Sequence, residues 1–199
     1  SEPLTAAGRV PARAVAVSTR TPPVLDGRLN DAAWQTAPVV VLFTQRDPDE
    51  GAPASERTEV RIVYDDEAIY VAARLFDRSP VTTRLGRRDM ELSSSDWFRV
   101  SFDSYLDRRT AYRFDVNPSG VRRDSVLVGG SGGGSTFTGP EGDLAWDAVW
   151  KASASVDADG WTAELSIPFS QLRFVRGAET WGLQLERVLN RRQELSLFS

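Results

Sequence analysis

Apolar and polar side chains alternate with a period of two over most of the chain beyond Thr36, the pattern a strand gives when one face is buried and the other is wet. The alternation predicts strands at about Glu59–Tyr64, Ala68–Asp77, Asp96–Asp103, Ala111–Pro118, Val149–Val156, Trp161–Ile167 and Trp181–Leu189. Asp65-Asp66, Asn117-Pro118-Ser119-Gly120 and Asp157-Ala158-Asp159-Gly160 separate them with residues suited to tight reversals. Asn30–Thr36 breaks the pattern and predicts a short helical turn, capped by Asn30 or Asp31 and anchored by Trp34. Pro168, followed by Phe169-Ser170-Gln171-Leu172, predicts another. These elements predict an all-β chain, an antiparallel β-sandwich of jelly-roll type with short helical turns.

At 199 residues, one large sandwich accounts for the whole length. Residues 1–20 read as an extended, loosely attached N-terminal arm and 21–199 as the sandwich. The run Gly129-Gly130-Ser131-Gly132-Gly133-Gly134-Ser135 is low complexity, readable as an engineered linker or a natural loop, and it lacks the lysine of a nucleotide-binding loop. The last residues, Leu197-Phe198-Ser199, fall inside a further strand candidate, so a longer protein with a partner domain is expected.

Composition narrows the chemistry. A hydrophobic fraction of 41% suffices for a core, and a net charge of -4 argues against a nucleic-acid footprint. The absence of cysteine removes disulfides, thiolate metal sites and cysteine nucleophiles. The absence of histidine removes the ordinary Ser-His-Asp triad and His-ligated zinc. No apolar run approaches the roughly 20 residues of a membrane helix.

The segment Val24-Leu25-Asp26-Gly27-Arg28-Leu29-Asn30-Asp31-Ala32-Ala33-Trp34 resembles the opening signature of family 9 carbohydrate-binding modules and their DOMON-like relatives. The resemblance continues through Val60–Asp66, Ile69-Tyr70-Val71, Ser95–Phe98, Phe114–Gly120, Gly160–Pro168 and Leu172-Arg173-Phe174. With Arg191-Arg192, it looks most like the N-terminal module of bacterial outer-membrane proteins whose remainder is a predicted β-barrel. It implies a non-catalytic, periplasmic or outer-membrane-associated sandwich that binds saccharide and contributes to carbohydrate catabolism, with structural calcium in some characterised members. Two other readings follow from it. One is a protein-interaction or gating module for the barrel. The other is a haem-binding electron carrier, whose axial ligands here would have to be Met90 and Lys151, the single methionine and single lysine.

Pleating sorts the candidate ligand contacts, because alternate residues point to opposite faces. Phe98, Val100 and Phe102 share one face with Tyr112, Phe114 and Val116, leaving Trp97, Arg99 and Ser101 beside Arg113, Asp115 and Asn117 on the other. Glu164 and Gln184 oppose apolar neighbours in the same way, as do Arg61 and Arg74. A ring with guanidinium, amide and carboxylate groups around it suits a sugar, which has an apolar C–H face and a rim of hydroxyls. Trp97 is therefore the candidate platform, with Arg99, Arg113, Asn117, Glu164 and Gln184 as hydrogen-bonding partners; a solvated salt-bridge lattice is the plainer reading. Asp103 and Asp107 are candidate calcium ligands, two of the six to eight oxygens that ion takes, or caps of a turn. Glu164 and Asp115 are the carboxylates a glycosidase could recruit, although no spacing selects them as a pair.

Overall fold

The computed structural model describes residues 12–88, 95–128, 142–143 and 145–198. Among the described residues there are eleven strands and one short helix. In chain order they are β1 (Val17–Ser18), α1 (Ala32–Thr36), β2 (Thr44–Asp47), β3 (Thr58–Tyr64), β4 (Ala68–Phe76), β5 (Trp97–Asp103), β6 (Thr110–Val116), β7 (Arg122–Val128), β8 (Lys151–Asp157), β9 (Gly160–Pro168), β10 (Gly182–Leu189) and β11 (Glu194–Phe198). Seven of the strands, β3, β4, β5, β6, β8, β9 and β10, lie where the alternation predicts them. Single 3-10 turns at Phe169–Gln171 and Asn190–Arg192 complete the described elements.

Two sheets face each other. One has five strands in the order β1-β3-β4-β9-β8, the other six in the order β2-β11-β10-β5-β6-β7. Every pairing is antiparallel except β1 with β3. The inward faces supply the core: Val60, Ile62, Val71, Leu75, Trp161, Leu165 and Ile167 from the first sheet meet Phe98, Val100, Phe102, Phe114, Val116 and Leu185 from the second. Fully burying each of these side chains stabilises by about 1.5–3 kcal/mol. Trp150 closes on Phe114 with ring centroids 5.2 Å apart, and Trp181 closes one end against Phe102 at 6.1 Å.

The end of the N-terminal arm, at Val17–Thr19, is held by the sheet edge. Val17 and Ser18 pair with Val63 and Tyr64, and the Thr19 amide donates to the Tyr64 carbonyl at 2.8 Å. From there the chain crosses the outer face of the five-stranded sheet, where Trp34 packs with Val63, Ala68, Tyr70 and Ala72 in a second apolar cluster. Proline and polar residues concealed this, because the arm contributes a backbone edge and one ring rather than a periodic pattern.

Candidate functional site

The outer face of the six-stranded sheet concentrates the chemistry. Register places Glu186 of β10 beside Arg99 of β5, Arg99 beside Asp115 of β6, and Asp115 beside Arg123 of β7. The row thus alternates acid and base across four strands. The next row runs Gln184, Ser101, Arg113, Ser125. Because alternate residues of each strand build the core on the other side, these groups all point the same way.

Glu186 is the hub. It accepts from Arg99 Nη1 at 2.9 Å, from Arg113 Nη2 at 3.1 Å and from Gln184 Nε2 at 2.5 Å. Arg113 Nε also reaches Ser101 Oγ at 3.4 Å. The row lies out of solvent: Glu186 and Asp115 are each 1% exposed and Arg113 2%. Burial pushes the Asp115 carboxyl up to about 6; Arg99 and Arg113 oppose the rise, Glu186 adds to it and Arg123 opposes it. Buried ion pairs of this kind return little net stability against an apolar substitute, so a lattice of them is weak evidence for a purely structural purpose.

Arg99, Arg113 and Gln184 are therefore brought together as the alternation predicts. The other three ligand candidates are not available in the role read for them. Trp97 does point to the polar side of the sheet, but it is 0% exposed and its row continues into Val188 and Leu195. Its ring is sealed and offers no open platform. Asn117 spends its side chain on its own turn, accepting the Ser119 and Val121 amides and donating to the Arg84 carbonyl and Ser95 Oγ. Glu164 belongs to β9, on the outer face of the opposite sheet. There it takes the Asp26 and Gly27 amides at 3.1 and 2.8 Å and Trp34 Nε1 at 3.0 Å, fastening the arm. Arg61 and Arg74 lie on that same opposite face. Alternation fixes which side of its own strand a residue takes; it does not say which sheet the strand joins.

The separation also bears on catalysis. Asp115 and Glu164 stand on outer faces of sheets that pack about 10 Å apart, so they cannot flank one glycosidic bond. Asp103 accepts the Asp107 and Arg108 amides, and Asp107 accepts those of Arg109 and Thr110, as turn caps do. Among the described residues no group of three or more acidic side chains gathers as a cation site. Lys151 is exposed at the start of β8, while Met90 and residues 129–135 lie outside the described residues. Glu186, absent from the candidates read in the sequence, stands one alternation step beyond Gln184 on the same face of β10, where the same pleat rule reaches it.

Three comparisons place this architecture among known proteins. A carbohydrate-binding module of family 9 from Caldicellulosiruptor kristjanssonii, solved with cellotriose, is 18% identical with a TM-score of 0.63, over 94% of this chain and 84% of that one. The same organism's module solved with glucose is 16% identical at TM-score 0.63, over 94% and 85%. A candidate carbohydrate-binding protein from Bacteroides uniformis is 10% identical at TM-score 0.69, over 92% and 87%. At such identities the likeness is one of fold. No curated protein matches the chain. A family profile described as carbohydrate family 9 binding domain-like matches residues 25–193, and by that match the chain belongs to this family.

Proposed function

We propose that the domain is a non-catalytic saccharide-binding module whose ligand contacts lie on the outer face of the six-stranded sheet. The observation that carries this is the cross-strand lattice of Gln184, Glu186, Arg99, Arg113 and Asp115, planar hydrogen-bonding groups gathered on one side of the fold. Guanidinium, amide and carboxylate are the groups that discriminate sugar hydroxyls by direction, and each hydrogen bond nets about 0.5–1.5 kcal/mol, so several must converge. Family membership supports the reading, as do neighbours solved with cellotriose and glucose. The reading extends to a periplasmic or outer-membrane setting, which fractionation of the full-length protein tests.

Calorimetry with cellotriose and with glucose, alongside a glycan array, tests the function. Gln184→Ala should weaken binding about tenfold, as expected for loss of one hydrogen bond at the upper end of that range, with the circular dichroism spectrum unchanged. Blank arrays and no heat with either sugar would remove the proposal.

A protein-docking role has its own support at one end of the sandwich. Tyr105 and Leu106 are 45% and 54% exposed, and Phe174 and Val175 are 36% and 56% exposed. The two loops are tied together by a hydrogen bond from Ser104 Oγ to the Arg173 carbonyl. Pull-down of an outer-membrane β-barrel partner, with Val175→Asp as the disrupting change, tests that role.

A further inference from the structure

The end of the sandwich that carries Tyr105, Leu106, Phe174 and Val175 is built from two loops fixed to one another. Gly182 pairs with Asp103 where β10 begins and β5 ends, so the β5–β6 hairpin loop and the loop leading into β10 emerge side by side. Ser104 Oγ donates to the Arg173 carbonyl across them. Within the hairpin loop, Asp103 accepts the Asp107 and Arg108 amides and Asp107 those of Arg109 and Thr110. In the other loop, Trp181 closes on Phe174 with ring centroids 5.3 Å apart and on Phe169 at 6.1 Å. The exposed apolar groups thus stand on a braced backbone, which leaves little conformational freedom to lose on docking.

Two features are unexpected in a merely solvated turn. Leu106 is exposed at a φ of 54°, in the left-handed region that glycine or asparagine takes at lower cost. More than half of that side chain lies in solvent, so burial does not account for a leucine there. The second feature is charge. Arg108 and Arg109 on the hairpin, with Arg173 and Arg176 on the other loop, are all exposed and have no side-chain hydrogen bond or ion pair among the described residues. The acids of the same loops are Asp103, buried on its amides, with Asp107 and Glu179 exposed. Cation is therefore in local excess in a chain whose net charge is -4.

We propose that this end of the domain docks on a lipid bilayer with anionic headgroups, Tyr105, Leu106, Phe174 and Val175 entering the interface while the four arginines pair with headgroup phosphates. The inference goes beyond saccharide binding and does not depend on it. Interfacial docking needs apolar groups that enter the acyl boundary and cations that meet the surface, and the two loops carry both. Arginine suits the second task, because its planar guanidinium holds phosphate oxygens in pairs. Tyrosine suits the first, with an apolar ring and a hydroxyl at headgroup depth. A protein partner would need acidic groups spaced to meet these arginines, whereas anionic headgroups move laterally to meet them.

Cosedimentation of the full chain with vesicles of phosphatidylcholine, alone or mixed with phosphatidylglycerol, tests this. The wild type should bind only the mixed vesicles and should be released by about 0.5 M sodium chloride, where screening shortens electrostatic reach to a few ångströms. Arg173→Gln combined with Arg176→Gln should weaken partitioning about 25-fold, about fivefold per arginine. Leu106→Gly should also weaken it, with the melting temperature unchanged or raised, because glycine relieves the left-handed strain. Failure to sediment with the mixed vesicles, equal binding to both kinds, or binding indifferent to the arginine and leucine changes would each overturn the proposal. So would capture of an outer-membrane β-barrel partner through these loops without any affinity for lipid.

Discussion

Two fully buried residues hold the fold in different ways. Glu164 is 0% exposed, yet both carboxylate oxygens are occupied by the Asp26 and Gly27 amides and the Trp34 indole. Its carboxyl is raised by burial, against which those three donors act. Glu164→Ala should therefore destabilise the fold by about 3 kcal/mol, because it strands three donors at once. Urea denaturation measures that loss, and saccharide affinity of the folded fraction should be unchanged because the clasp sits on the far sheet. Trp97 is sealed in the same way, without a face open to ligand. Trp97→Ala should act through a cavity, costing about 3–5 kcal/mol in the same assay. A Trp97→Phe variant that kept stability but lost cellotriose binding would contradict this assignment.

At the scale of elements, turn chemistry decides how strands meet. Gly160 opens β9 at a φ of 133°, and a Cβ there would sit 2.1 Å from the Leu75 carbonyl oxygen. Gly160→Ala should cost about 2 kcal/mol or more, read as a lower melting temperature, since both the dihedral and the close approach forbid a side chain. The Asp157–Gly160 reversal was legible in the sequence, as were β3, β4, β5, β6, β8, β9 and β10, because each has a clean apolar face. β7 was not. Its Arg123 and Ser125 lie buried on the polar face, while Arg122 and Asp124 turn inward, Asp124 accepting Trp150 Nε1 at 3.1 Å. With polar groups on both sides there is no alternation to read. β11 buries Glu194 and Ser196 and leaves Leu195 and Leu197 only half-buried, which inverts the expected signal. The same limit explains the site: pleat phase found Arg99, Arg113 and Gln184, but depth and sheet membership, which removed Trp97 and Glu164, depend on contacts far apart in the chain.

Over the whole molecule, the lattice makes stability depend on pH. Asp115 titrates near 6 in the folded protein, against an ordinary value of 3.8, with burial as the cause and Arg99 and Arg113 opposing it. A carboxyl with a raised folded value holds its proton more tightly when folded than when unfolded. Its contribution to stability therefore grows as pH falls from about 7 to about 4 and is lost as pH rises through 6. Exposed Asp157, lowered mainly by its hydrogen bonds with Arg74, works in the opposite sense and at lower pH. Comparing the wild type with Asp115→Asn isolates the first effect. Unfolding free energies from urea titrations at pH 7.5, 6, 5 and 4 should show the wild type gaining about 2 kcal/mol on the variant between the first and last. A difference that stays level, or that runs in the variant's favour as pH falls, would show that Asp115 is not held above its ordinary value.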